Sequence, residues 1–255
     1  VVTMARDLDS SNLDPVMTAD NCDIWILNMI VEGLVGTSDD GKEIIPAVAD
    51  TWTVSDDGLE YVFHIRDGIK FSNGEDVTIE DCIYSLTRAK GPWIGMLDMI
   101  ASMEDAGDNQ LKITLTEASP SFLSVLAMFS SGIMPEAYCE EVGEEGISSA
   151  PVGTGPYVLS EWDKGEKMVF TKNDYYWEEG CPKVDEIDMT VVADDNTRIM
   201  QLESGQIDIA TQIPYSRIDE LKAVSGLNVS LFDSTDVKFV VLNCQSEKLS
   251  DKRVR

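Results

Sequence analysis

His64 is the one histidine in the 255 residues, so any Ser-His-Asp triad or Cys-His dyad would have to be built on it. It lies between Phe63 and Ile65 in an alternating run. That placement predicts a strand residue sharing a face with Val62 and Arg66, with a structural role, and a histidine-rich metal site is excluded. Carboxylates number 47, so a pair at glycosidase spacing arises by chance, and the sequence singles out no two. Asp7-Leu8-Asp9-Ser10-Ser11-Asn12 has the acidity of a calcium loop but lacks the glycine and the terminal glutamate that such a loop needs.

Neither a GxGxxG run nor a P-loop is present, and Gly153-Thr154-Gly155 is too short for either; it predicts a tight turn into a strand. The cysteines, Cys22, Cys82, Cys139, Cys181 and Cys244, are odd in number and far apart. They predict small buried hydrophobes, not a disulfide framework or a zinc site. The search for chemistry therefore returns no cofactor, no metal and no catalytic residue, which favours binding over catalysis.

The same acids set the charge, 19 − 47 = −28. A field this negative repels phosphate backbones and anionic membrane surfaces, so nucleic acid is excluded as a partner. With 43% hydrophobic residues the chain can build one large core or two ordinary ones. The longest uncharged run, Ala118 to Pro135, is rich in serine and broken by proline, which is wrong for a membrane span. No basic segment followed by an apolar one opens the chain, as expected of a cytosolic protein or of one whose leader has been removed.

Two Asp-Asp-Gly turns, Asp39 to Gly41 and Asp56 to Gly58, punctuate hairpins, and Tyr61, Phe63 and Ile65 alternate as on a half-buried strand. Ile69 to Phe71 predicts another short strand. Thr78 with Asp81 predicts a capping box for a helix whose Ile79, Cys82, Ile83 and Leu86 share a face. Leu111, Ile113 and Leu115 predict a strand, Pro120 a helix to about Phe129, Pro135 a second acidic helix, and Gly146 to Gly155 a linker. Beyond it come a hairpin from Tyr157 to Thr171, a strand at Ile187 to Val191, a helix capped by Asp195 and a strand at Ile207 to Ala210. A helix from Ser216 and a strand from Val237 to Leu242 complete an α/β pattern, and the final Arg253-Val254-Arg255 reads as a cut end.

Residues 47 to 88, AVADTWTVSDDGLEYVFHIRDGIKFSNGEDVTIEDCIYSLTR, closely resemble the signature region of the family 5 extracellular solute-binding proteins, the oligopeptide, dipeptide and nickel receptors of ABC importers. Ala49, Trp52, Asp57-Gly58, Phe63 to Arg66, Gly68, Phe71, Gly74, Thr78 and Asp81 carry the likeness. Further matches follow in order: LDP at 13 to 15, EGL at 32 to 34, GTGPY at 153 to 157, NDYYW at 173 to 177, SGQIDI at 204 to 209 and LNCQSEKLSDKRVR at the end. Asp76, Ile79 and Cys82 depart from the usual Pro, Ala and Val, at the start of the helix.

The resemblance implies one lobe of a type II periplasmic-binding-protein clamshell, a mixed sheet flanked by helices. Residues 1–43 and 151–255 would form its main subdomain, 44–150 an inserted α+β subdomain, and the second lobe would be missing. It implies capture of a peptide or similar small solute between lobes and delivery to an ABC permease, without bond chemistry. It places the protein outside the cytoplasm, periplasmic or lipid-anchored. Ala19, Asp20 and Asn21 fall on the pocket-facing turn; Trp93, Met128, Phe129, Gln212, Thr235 and Asp236 fall on other cleft positions. Trp93, Met128 and Phe129 are equally explained as core packing, and Asp20 and Asn21 as a helix cap. The rivals are a carboxylate-dependent hydrolase, which needs two facing acids of raised pKa, and a calcium-stabilised surface module.

Overall fold

The computed structural model describes residues 1–91, 95–232 and 240–254. Strand β1 (Val2–Arg6) leads through a long turn to helix α1 (Asn21–Ile30). A hairpin, β2 (Val35–Thr37) and β3 (Ile44–Pro46), precedes β4 (Ala49–Val54), β5 (Glu60–Ile65) and helix α2 (Ile79–Ala89). Then come β6 (Ile100–Gly107), β7 (Gln110–Leu115), α3 (Phe122–Leu126), a 3₁₀ turn at Phe129–Ser131 and α4 (Glu136–Ser149). Hairpin β8 (Tyr157–Asp163) and β9 (Lys167–Lys172) is followed by β10 (Glu186–Val191), α5 (Asp195–Glu203), β11 (Ile209–Ala210) and α6 (Ile218–Lys222).

Two principal sheets form. One is mixed and five-stranded in the order β11-β1-β10-β9-β8, with β1 parallel to both its neighbours and β9 antiparallel to both of its own. The other is an antiparallel four-stranded sheet, β4-β5-β7-β6. Tyr61, Phe63 and Ile65 on β5 and Leu111, Ile113 and Leu115 on β7 point to one side, where Ile79, Cys82, Leu86 and Ala89 of α2 and Phe122 and Leu126 of α3 cover them. A second core joins Ile26, Leu27 and Ile30 of α1 and Cys139 and Ile147 of α4 to Met168, Phe170 and Met189 of the mixed sheet. Each of these large side chains contributes about 1.5–3 kcal/mol by leaving water.

Val1–Ile213 and Pro214–Arg255 form two compact units. The first holds both sheets and both cores. The second holds α6, preceded by a 3₁₀ turn at Tyr215–Arg217 and followed by another at Glu247–Leu249, with Ile218 and Leu221 buried.

Local chemistry accounts for most element ends. The Thr78 hydroxyl accepts from the Asp81 amide while the Asp81 carboxylate accepts from the Thr78 amide and hydroxyl, which starts α2 where the capping box predicts. Thr78→Ala is expected to destabilise the first unit by about 1 kcal/mol in chemical denaturation. Differences from expectation are few. Ile69 to Phe71 contributes only an isolated bridge, Lys70 with Asp76, because the Asn73-Gly74 turn closes at once. The helix from Pro120 is broken into α3 and the 3₁₀ turn, α4 is interrupted at Gly143 and reaches Ser149, and Asp194 caps α5 in place of Asp195, its carboxylate accepting from the Thr197 amide. Residues 240–242 are irregular, and the rest of the strand expected at Val237 to Leu242 lies outside the described residues. Cys82 and Cys139 are buried as expected, with burial pushing the Cys139 thiol up to about 11, whereas Cys22 and Cys181 are half-buried and Cys244 exposed.

Candidate functional site

Because β10 and β11 both run parallel to β1, their carboxyl ends emerge on one edge of the sheet, the edge where open α/β sheets bind ligands. Two buried arginines organise it. Arg6, the last residue of β1, donates from Nη1 to the Cys22 carbonyl at 3.0 Å and from Nη2 to Asp9 Oδ1 at 2.9 Å and Ser10 Oγ at 3.1 Å. The start of α1 is thereby held at the end of β1.

Arg198 of α5 is fully buried. Its Nη1 donates to the carbonyls of Val192 (2.6 Å) and Ala193 (3.2 Å) just after β10, and its Nη2 to the Gln212 carbonyl (3.2 Å) just after β11 and to Asp195 Oδ1 (2.6 Å). Gln212 has φ +57°, a left-handed backbone that a side chain other than glycine adopts only when its surroundings impose it. The hydrogen bond to Arg198 is the visible restraint.

The turn carrying Ala19, Asp20 and Asn21 is built on two buried carboxylates. Asp23 accepts from the Ser11 amide (2.8 Å), the Ser11 hydroxyl (3.1 Å), the Asn12 amide (3.3 Å) and the Thr18 hydroxyl (2.7 Å). Asp14 accepts from the Val16 amide at 3.1 Å and forms a two-pronged pair with Arg88 of α2. Ala19, Asp20 and Asn21 are exposed on top of this frame. Asp20 occupies the N-cap position of α1, yet its side chain makes no capping hydrogen bond, so its carboxylate is left for solvent or a ligand.

The structure thus brings the 19–21 turn and Gln212 to one rim. Met128 and Phe129 are half-buried at the start of the 3₁₀ turn, which packs on α1 and α2, and Phe129 packs against the second core. Trp93, Thr235 and Asp236 lie outside the described residues.

A second constellation escaped the sequence. Glu32 Oε2 accepts from Trp177 Nε1 at 2.9 Å and Thr154 Oγ1 at 3.0 Å, and Oε1 accepts from the Tyr176 hydroxyl at 3.3 Å. Burial pushes its carboxyl above the usual carboxylate range, and those hydrogen bonds, with the nearby Arg66 charge, offset the shift only in part. The Arg66 guanidinium sits 3.9 Å from the Trp177 ring centroid and donates from Nε and Nη2 to the Ala47 carbonyl at 3.3 Å. Gly153 and Gly155 lie so close to the end of α1 that an added Cβ would meet the Ile30 carbonyl oxygen at 2.5 and 2.7 Å. The segments EGL, HIR, GTGPY and NDYYW thus converge on one clasp, a link their sequence spacing does not disclose.

This carboxyl is held by hydroxyls and an indole, and none of its hydrogen-bond partners is a second acid. His64 Nδ1 lies 2.8 Å from Asp50 Oδ1 across β4 and β5. Among the described residues no group of three or more His, Cys, Asp or Glu is placed to hold a metal ion, and no helix is long and apolar enough to cross a membrane.

Comparison with known proteins gives this geometry its context. The family model described as bacterial extracellular solute-binding proteins, family 5, matches residues 43–255. The chain belongs to this family. It is 30% identical to the glutathione-binding protein GsiB of Escherichia coli K12 over its whole length, covering 50% of that protein. Among solved structures it is similar to the Agrobacterium tumefaciens R10 binding protein AgaA in complex with agropinic acid, with TM-score 0.82 and 30% identity over 88% of this chain and 46% of that one. It is also similar to the Helicobacter pylori protein DppA in complex with the peptide STSA, with TM-score 0.79 and 28% identity over 88% and 49%. The mixed α/β architecture is therefore that of a type II periplasmic-binding-protein lobe, and the chain spans about half the length of the relatives it matches. The family is one of solute-binding proteins and not of enzymes.

Proposed function

We propose that the chain carries the solute-capturing lobe of an ABC importer's receptor, taking a peptide or similar small solute at the carboxyl rim of its mixed sheet and delivering it to a membrane permease. The observation that carries this reading is the pairing of the uncapped Asp20 turn with left-handed Gln212, each fixed from below by a buried arginine on the same edge. A rigid frame with exposed polar tips limits the ordering cost of binding. Ala19, Asp20, Asn21 and Gln212 form this wall, with Met128 and Phe129 as further members; Trp93, Thr235 and Asp236, also expected at the cleft, lie outside the described residues.

Solute would be gripped between this wall and a second lobe, with closure as a population shift driven by contacts that exist only when both walls touch it. We propose subdomains of 1–43 with 151–255 and of 44–150 inserted between them; within Val1–Ile213 the five-stranded sheet, drawn from 2–6 and 157–210, and the four-stranded sheet, drawn from 49–115, support that division. Residence in the periplasm or at the cell exterior, with a lipid anchor, belongs to the same reading.

The test is a thermal-shift screen of the full-length protein beside the 255-residue chain, against di- to pentapeptides, glutathione, nickel, nickel chelates and oligosaccharides. One class is expected to stabilise the full-length protein, by about 2.7 kcal/mol at a hundredfold excess over Kd, with little effect on the shorter chain. Asp20→Ala should remove most of that shift. Equal stabilisation of the shorter chain would show a complete site within it and overturn the two-wall account.

A further inference from the structure

We propose that Lys164, on the turn between β8 and β9, is a specificity-determining residue that pairs with a carboxylate of the solute, so that the rim selects solutes carrying one. The inference rests on the receptor reading above and narrows its solute class. The turn stands on the solute-facing edge by register. β9 runs antiparallel to β10, with Lys167 opposite Thr190, and β8 antiparallel to β9, with Asp163 opposite Lys167. The residues between Asp163 and Lys167 therefore emerge beside the carboxyl ends of β1 and β10. The Val191 amide donates to the Glu166 carbonyl at 2.8 Å, which fastens the turn to the end of β10.

This turn and the Asp20 turn share one frame. Asp9 Oδ2 accepts from the Gly165 amide at 2.7 Å and from Trp162 Nε1 at 3.1 Å, while Asp9 Oδ1 accepts from Arg6, the same guanidinium that holds the Cys22 carbonyl. Gly165 has φ +82°, the left-handed backbone that lets the chain reverse here. Trp162 packs against the second core, which α1 also builds, and the Lys164 ammonium lies 4.8 Å from the centroid of its ring. The side chain is thus held on a fixed surface while remaining exposed, which limits the ordering cost of a contact.

Charge makes the assignment. In a chain of net charge −28 an anionic solute group is repelled unless a free base stands where it arrives. Arg6 and Arg198 cannot serve, since both are buried and their terminal nitrogens are committed to carbonyls and carboxylates of the frame. Lys167 pairs with Glu161, and Lys172 lies at the opposite end of β9. Among the described residues of this edge, Lys164 is the base whose ammonium is exposed and rests on a ring instead of a carboxylate, although Asp163 and Glu166 stand close to it in sequence.

The experiment measures, by isothermal titration calorimetry on the full-length protein, affinities for di- to pentapeptides with free C-termini and for the same peptides amidated, with glutathione and its diester as a further pair. The wild type is expected to prefer the free acid of its best-binding pair by at least about tenfold. Lys164→Met, which keeps an aliphatic stem on Trp162, should weaken the free acid about tenfold and the amidated partner less than about twofold, erasing the preference while Tm is retained. Lys164→Arg should keep the preference. Lys172→Met removes the same charge at the far end of β9 and should also keep it, so it controls for the field of the whole surface. A preference that survives Lys164→Met, or that falls equally in Lys172→Met, would overturn the assignment, as would a wild type indifferent to the carboxylate. Failure of every pair to bind the wild type would sink the peptide reading of the receptor itself, a result distinct from these.

Discussion

Glu32→Ala is expected to lower stability by about 2–4 kcal/mol, because it takes the acceptor from three donors, the fully buried Thr154 Oγ1 and the half-buried Trp177 Nε1 and Tyr176 hydroxyl. For a chain of this size that corresponds to a fall in Tm of about 4–15 °C by calorimetry. Glu32→Gln should behave differently. The amide oxygen can accept from Trp177 and Thr154 and the amide nitrogen can donate to the Tyr176 oxygen, while the desolvation of a charge disappears. Its stability at neutral pH is expected within about 1 kcal/mol of the wild type, on either side. A Gln variant as damaged as the Ala variant would show that the negative charge, through Arg66 behind Trp177, carries the clasp.

The pH dependence follows from the raised carboxyl. A folded-state pKa above the unfolded one means that the native state holds the proton more tightly. The stability from this group is therefore fully present below the unfolded value of about 4.3 and is lost as pH rises through the folded value. The difference between wild type and Glu32→Gln should thus move in favour of the wild type as pH falls from neutral towards that value. Measuring the difference removes the opposite trend of carboxylates such as Asp9, whose burial is outweighed by hydrogen bonds from Gly165, Trp162, Ser10 and Arg6 that hold its pKa down.

The contrast between these carboxylates also shows which parts of the molecule a sequence discloses. β5 and β7 were legible because each buries one face and wets the other, and alternation is the signature of that geometry. α2 was legible because its cap is made by residues three apart. β6 was not, since it is an edge strand whose residues are mostly exposed on both faces, leaving no apolar period to read. The strand expected at Ile207 to Ala210 is present but shorter, Ile209–Ala210, because its ladder with β1 holds only two residue pairs.

The candidate site divides in the same way. The 19–21 turn followed from the resemblance at the LDP and EGL segments, and the structure adds why it is rigid. Arg198 was invisible: a lone arginine in an amphipathic helix is ordinarily a surface residue, and its burial has meaning only once β10 and β11 deliver three carbonyls to one point. Glu32 stood in a recognised segment, but its partners are 122 to 145 residues away, a separation over which local pattern carries no information.

The pair between Arg88 and Asp14 makes the remaining large effect, because it joins α2 to the frame of the solute-facing turn. Asp14 is 1% exposed at its side chain and Arg88 18%, so removing the cation leaves a carboxylate that water can scarcely reach. Arg88→Met is expected to cost about 3–5 kcal/mol in urea denaturation, the range for breaking a buried pair from one side. Asp14→Asn in the same chain as Arg88→Gln removes both charges, keeps an acceptor for the Val16 amide, and should recover at least about half of that loss. The two variants also separate stability from positioning. Any variant that frees the Asp14 turn lets Ala19, Asp20 and Asn21 drift from the rim, so solute affinity of the full-length protein should fall in Arg88→Met well below its Tm and recover in the double variant. A loss of stability with no change in affinity would mean that Asp23, with its four donors, fixes the turn alone, and that the link to α2 serves folding only.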